Sequence, residues 1–258
     1  MSAPRSRHQL SAGEGPGRLE LAAASDVGPV RRENQDDWAL EALPAVGGAL
    51  LVLADGMGGH ADGGIAARLA VTSIVDELRA AADPVEHLGA AITAANQSVL
   101  DYRQAHGGEM CGTTLVVGVV RADRAVVANI GDSRGYLLHQ GRLVQLTEDH
   151  SVVAEQMRAG RLPDGPLARH PGRNVLTRAL TGEPVAADIV DARLGPGDML
   201  VMCSDGVWDV LSDERLAASL TQPGDLGGAA QGACDAAVAA GTTDNVTVVA
   251  CRLSGGGR

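Results

Sequence analysis

The chain has 258 residues, 45% of them hydrophobic, and a formal net charge of −11. So acidic a balance argues against a nucleic-acid partner, because phosphate backbones select basic faces. All 21 basic residues are arginine, which excludes in their usual forms a P-loop nucleotide site and a protein kinase, each of which sets a lysine on the phosphates.

Residues 1–17 lack an apolar signal core and read as a loose tail. Residues 19–24 and 38–43 read as strands, and 49–54 (ALLVLA) is a continuous apolar run of the kind a fully buried strand carries. That run ends abruptly at Asp55 and a glycine-rich turn. Two helices follow over 65–81 and 85–103, with Pro84 at the start of the second and Asp83 as its N-cap. Valine-rich strands are expected over 113–120 and 125–130, and a hairpin joins 136–138 to 143–146. The stretch 151–181 reads as one short helix and a long loop with Pro163, Pro166 and Pro171. Residues 199–203 form another buried strand, 213–240 are helical, and 246–253 is the last strand.

Strands are grouped rather than alternating with helices, which favours an α+β fold with packed sheets and outer helices. Without a repeat or a linker, one domain is expected over 18–254, with 255–258 frayed. No stretch reaches the ~18 apolar residues of a membrane span. Cys111, Cys203, Cys234 and Cys251 form no CxxC pair, so neither a disulfide framework nor a zinc site is expected, and a reduced, cytoplasmic setting fits.

The informative pattern is where the aspartates lie. Asp55, Asp132 and Asp205 follow apolar strands; Asp36 and Asp244 precede them. Aspartate favours turns, which explains any one of them. Five strand ends converging at one sheet edge would gather carboxylates that repel one another unless cations neutralise them. All-oxygen ligands suit Mg²⁺ or Mn²⁺. Arg31, five residues before Asp36, is either a salt-bridge partner of such a cluster or a fork that grips a phosphate.

The run SDVGPVRRENQD from Ser25 resembles the opening motif of the metal-dependent protein phosphatase 2C family. Further matches are ADGMGGHADGG from Ala54, CGTT from Cys111, NIGDSRGY from Asn129, NVLTRALTG from Asn174, SDGVWD from Ser204 and TTDNVTVV from Thr242. They occur in the family's order, and the form with ADGMGGH resembles the compact bacterial members. The resemblance implies two mainly antiparallel sheets flanked by helices, an αββα sandwich. It implies a protein serine/threonine phosphatase acting through a water activated by two Mn²⁺ or Mg²⁺ ions.

On the matching positions, Asp55 would bridge the two ions and the Gly56 carbonyl would bind one of them. Asp205 and Asp244 would hold the first ion, and Asp36 would support the second through a water. Arg31 would bind the substrate phosphate. A third, weaker ion, found in some members, would take Asp132, Asp205 and Asp209. Gln35 and Asn245 would support the site, and 151–181 would be a flap beside it. Phosphorylated proteins, with a serine/threonine kinase and its targets, are the implied partners of a monomer.

Two positions depart from the family pattern. Gln35 stands where many members carry Glu, which removes a charge near the second ion. Met57 stands where many eukaryotic members carry a histidine as general acid; His60, close in sequence, reads as an ordinary loop residue. Gly131–Gly135 fits GxSxG, but a nucleophile elbow leads from strand into helix, and here a strand and hairpin follow. Gly56–Ala61 fits GxGxxA, but Asp55 would turn a carboxylate toward a pyrophosphate. A catalytically weak, phosphoprotein-binding module of the same fold is the non-enzyme alternative.

Overall fold

The computed structural model describes residues 5–12, 18–58, 62–106, 111–163, 165, 170 and 172–254. The apolar run at 49–54 lies within strand β4 (Gly48–Gly58), and its lack of alternation has a direct cause: both of its faces are buried. Leu50, Val52 and Ala54 face helices, while Ala49, Leu51 and Leu53 face a second sheet. Strand β11 (Met199–Cys203) is built the same way. Its Met199, Val201 and Cys203 face helices, and Leu200 and Met202 face the other sheet.

The first sheet has the order β1-β2-β12-β11-β8-β9, with β1 Arg5–Ala12, β2 Leu19–Asp26, β8 Arg134–His139, β9 Arg142–Gln145 and β12 Val246–Leu253. The second runs β10-β7-β6-β4-β3, with β3 Asp36–Leu43, β6 Leu115–Arg121, β7 Arg124–Ile130 and β10 Asp188–Arg193; the short β5 (Cys111–Thr113) pairs with β4. Every pairing between these strands is antiparallel. The β8–β9 hairpin turns on Gln140 and Gly141, at φ 50° and 76°, the backbone that a two-residue hairpin turn requires.

Three apolar layers hold the four structural layers together. Between the sheets lie Leu21, Leu51, Leu53, Val116, Leu200, Met202 and Val249. Outside the second sheet, α1 (Asp62–Ala80) and α2 (Leu88–Ala105) pack on it. Ala67, Ala70, Val71, Ile74 and Leu78 of α1 recur at helical spacing on that buried face. Outside the first sheet lie α4 (Asp205–Trp208), α5 (Asp213–Leu220) and α6 (Leu226–Ala239), the last presenting Leu226, Ala230, Ala233, Cys234 and Ala237. Helix α3 (Val152–Arg158) begins the irregular segment. The result is the αββα sandwich that the grouping of strands and the resemblance imply.

Four local expectations are revised. The loose tail expected over 1–17 gives way at 5–12 to β1, an edge strand paired residue for residue with β2. Strand β10 was not expected, because an edge strand with one half-exposed face carries few apolar residues; Ile189 is 57% exposed. Helix α4 is a single turn, too short to show a period. The second helix starts at Leu88 rather than 85: Asp83 Oδ1 accepts from the Val85 and Glu86 N–H groups and caps a preceding turn instead. Among the described residues no helix is long and apolar enough to cross a membrane.

Candidate active site

At one end of the sandwich the strand termini surround an open pocket of about 190 Å³. Its walls include Arg31, Gln35, Asp55, Gly56, Met57, Asp132, Asp205, Asp244 and Asn245. Asp55 comes from β4 in the second sheet, whereas Asp205 follows β11 and Asp244 precedes β12 in the first. Asp132 lies on the β7–β8 connection, which passes from one sheet to the other. The carboxylates therefore meet between the two sheets, at their ends, and not along the edge of one sheet.

Asp36 opens β3 and pairs directly with Asp55 on β4. It lies beneath the pocket, buried, with its Oδ2 accepting from Ser204 Oγ at 2.8 Å and Thr247 Oγ1 at 2.6 Å. Its Oδ1 is buried and has no hydrogen-bond partner. Asp209, one turn beyond Asp205 on α4, accepts from Arg173 Nε at 2.7 Å, and its own Oδ1 is likewise buried without a partner.

Crowding carboxylates away from water has the electrostatic consequence expected of it. Burial, then the facing Asp36, Asp205, Asp132 and Asp244, hold the Asp55 carboxyl well above the usual range. Burial, then Asp132, Asp244, Asp209 and Asp36, does the same to Asp205. Burial pushes Asp36 up to about 6 despite its two hydroxyl donors, and pushes Asp132 up to about 7 with help from Asp149.

The loops that carry these residues are tightly fixed. The Asp55 N–H donates to Thr114 Oγ1 at 2.9 Å, and its carbonyl accepts from the Thr114 N–H and Thr113 Oγ1. Asn245 Nδ2 donates to the carbonyls of Val27 and Glu33, and its Oδ1 accepts from the Gln35 N–H, so one side chain clamps the loop that carries Arg31. Gly56 admits no side chain: a Cβ there would stand 2.2 Å from the Gly63 carbonyl oxygen and 2.7 Å from that of Gln35. Arg31 Nη2 donates to Asp244 Oδ2 at 2.7 Å.

The donor set suits hard cations: carboxylates and carbonyls, partnerless buried oxygens on Asp36 and Asp209, and a bare backbone at Gly56. Among the described residues no three Asp, Glu, His or Cys side chains already close round one point.

Several residues of this end were not singled out from the sequence. Ser204, Thr247 and Thr114 are hydroxyl residues in or beside strands, and only their hydrogen bonds reveal their roles. Ser133, the serine of the GxSxG match, is fully buried and bonded to Thr114 at 2.8 Å, which is no position for a nucleophile. Asn174 and Leu176 bring the 151–181 segment to the pocket wall. Arg134 is buried against Asp149 at 2.7 Å and lies 3.8 Å over the Trp208 ring, whose Nε1 donates to the Asp132 carbonyl. His60 lies outside the described residues. All four cysteines are buried and unbridged, and burial pushes the thiols of Cys203, Cys234 and Cys251 up.

A model of the protein phosphatase 2C family matches residues 31–225, which takes in Arg31, Asp36, Asp55, Asp132 and Asp205. The chain belongs to the protein phosphatase 2C family. It is 36% identical over 234 residues to the serine/threonine protein phosphatase PstP of Mycobacterium tuberculosis, covering 90% of this chain and 44% of that protein. It thus spans less than half the length of that relative. It is 33% identical to a putative protein phosphatase 2C-type protein of Streptococcus pyogenes, covering 89% of this chain and 96% of that one. Among solved structures, the catalytic domain of PstP in complex with two manganese ions superposes with a TM-score of 0.81 at 33% identity, covering 92% of this chain and 98% of that domain. Protein phosphatase 2C membership accounts for the four-layer architecture seen here.

Proposed function

We propose that this chain is a metal-dependent phosphatase that hydrolyses phosphoserine and phosphothreonine in other proteins. The observation that supports it best is the meeting of Asp55, Asp132, Asp205 and Asp244 with Arg31 around one pocket, on the fold of a family whose PstP member binds two manganese ions.

Asp55 would bridge two Mn²⁺ or Mg²⁺ ions, with the Gly56 carbonyl on one of them. Asp205 and Asp244 would hold the first ion, and Asp36 would support the second through a water. Asp132, Asp205 and Asp209 would take a third, weaker ion. Two such ions, when bound, supply a water acidic enough to attack near neutral pH and positive charge for the phosphoryl oxygens.

The protein's own groups do the rest. Arg31, half exposed at the pocket mouth, would turn its fork onto two phosphate oxygens and hold phosphorus for in-line attack. Asn245 keeps the Arg31 loop in register, and Gln35 lines the same wall. Met57 lies in the wall with no proton to give, so the departing serine or threonine oxygen takes its proton from water. The 151–181 segment, through Asn174 and Leu176, would meet the residues around the phosphate and contribute to substrate choice. Proteins phosphorylated by a serine/threonine kinase, and the kinase itself, are the fitting substrates for a monomer working inside the cell.

The test is hydrolysis of a phosphothreonine peptide by the purified protein, with Mn²⁺, with EDTA, and in an Asp55→Asn variant. Metal-dependent release of phosphate that the variant lacks is the expected result. A folded protein that binds the peptide but releases no phosphate with any divalent cation would point instead to a phosphoprotein-binding module.

A further inference from the structure

Asp36 is held at one oxygen and left open at the other. Both hydroxyl contacts, from Ser204 and Thr247, fall on Oδ2, while Oδ1 stays buried and without a partner. A hydroxyl has a single proton, so these contacts have a direction. Thr247 gives its proton to the carboxylate over 2.6 Å, so in its 2.7 Å contact with Ser25 it must accept. Ser25 is therefore the donor there, and its oxygen accepts from Asn34 Nδ2 at 2.7 Å. Asn34 Oδ1 accepts the N–H of Asp36 itself at 3.2 Å, which fixes the amide's orientation and closes the circuit. Ser204 likewise gives its proton to Oδ2 and accepts the Thr247 N–H at 3.0 Å.

The circuit ties three elements to one carboxylate: Ser25 on β2, Thr247 on β12, and Ser204 just after β11. Each hydroxyl is fully buried or nearly so. Donor chains of this kind polarise in one sense and set a side chain's angle more firmly than a single bond does. A carboxylate saturated on one oxygen has only the other to offer.

We infer that Thr247 and Ser204, backed by Ser25 and Asn34, are positioning residues that reserve the free Oδ1 of Asp36 for the water through which it would support the second cation, and so set that cation's affinity. This rests on the two-cation reading given above. Partners that orient a ligand typically change metal affinity 10- to 100-fold when removed.

The experiment is calorimetric titration of the metal-stripped full chain with Mn²⁺, with the fold of each variant followed by circular dichroism. The unaltered protein should bind two ions more tightly than the third, weaker one. Thr247→Val, which keeps the side chain's shape and loses its proton, should weaken one of the two by about 10- to 100-fold and leave the other within about twofold. Thr247→Ser should restore it. A Thr247→Val titration that coincides with that of the unaltered protein overturns the inference, as does a loss spread equally over both ions in a folded variant. Should Thr247→Val fail to fold, Ser25→Ala decides: it leaves Asp36's direct contacts in place and removes the donor behind Thr247 together with the acceptor for Asn34 Nδ2. A few-fold weakening of the same ion supports the inference, and an unchanged titration overturns it. If the unaltered protein binds no Mn²⁺ at all, the two-cation reading fails and takes this inference with it.

Discussion

Arg31 and Asp244 close the pocket mouth on each other: the guanidinium, on the loop after β2, donates to the carboxylate that precedes β12 over 2.7 Å. On the function proposed above each would have a second claimant, a phosphate for Arg31 and a cation for Asp244, and a cation that drew on Asp244 would free the guanidinium for substrate. Arg31→Ala should lower kcat/KM by about 10- to 100-fold, the value of one charged hydrogen bond. It should not weaken Mn²⁺ binding, because it removes a competitor for Asp244. Steady-state kinetics on a phosphothreonine peptide beside a Mn²⁺ titration check both halves.

Asp55 has the opposite balance. It stands among Asp36, Asp132, Asp205 and Asp244, which together with burial disfavour its charge. Asp55→Asn should cut turnover by about a thousandfold or more, as loss of several kcal/mol of stabilisation requires. In EDTA the same variant should be more stable than the unaltered protein, by about 1 kcal/mol or roughly 2–4 °C in Tm at this chain length. Melting curves with EDTA and with Mn²⁺ should therefore change order.

Arg134 and Asp149 form a buried pair, the guanidinium also bonding the Tyr136 hydroxyl at 3.1 Å. Removing one partner strands a charge away from water. Asp149→Ala should cost about 3–5 kcal/mol in urea unfolding. Replacing both by apolar residues of similar volume should cost much less, and the double-mutant cycle measures the difference.

Asp188, at the start of β10, accepts from His150 Nε2 at 3.0 Å and Arg178 Nη1 at 2.6 Å, and these partners lower its pKa. A lowered folded pKa means that its contribution is complete above the ordinary aspartate value of ~3.9 and is lost as pH falls through the lowered one. Asp188 is half exposed, so that contribution is at most about 1 kcal/mol. Asp188→Asn should be slightly less stable at pH 7, and the two unfolding curves should converge as pH falls below the ordinary aspartate range.

The parts of the fold that could be read ahead were those in which burial dictates composition. Strands β4 and β11 are apolar on both faces, and an unbroken run followed by aspartate marks them. Strands β1 (RSRHQLSA) and β10 (DIVDAR) escaped because neither carries a run of apolar residues, and α4 because one turn has no period. At the site the contrast is similar. Asp36, Asp55, Asp132, Asp205 and Asp244 stand out as acids at strand ends, but which ends share a pocket depends on how two sheets stack. Ser25, Ser204 and Thr247 lie inside the quoted motifs, but their role was not legible, since a hydroxyl on a strand is ordinary until its partner, more than 160 residues away along the chain for both Ser204 and Thr247, is known.

The chain has two tryptophans, and they are unequally placed. Trp38 sits on β3 near His8, whereas Trp208 lies under the Arg134 guanidinium with its indole N–H on the Asp132 carbonyl. Indole emission responds to nearby charge and to the strength of that hydrogen bond. The protein thus carries a native optical reporter one backbone carbonyl away from a cluster of acids. In a Trp38→Phe background it would be the single tryptophan, and events at Asp132 could be followed in its emission in real time without attaching a dye.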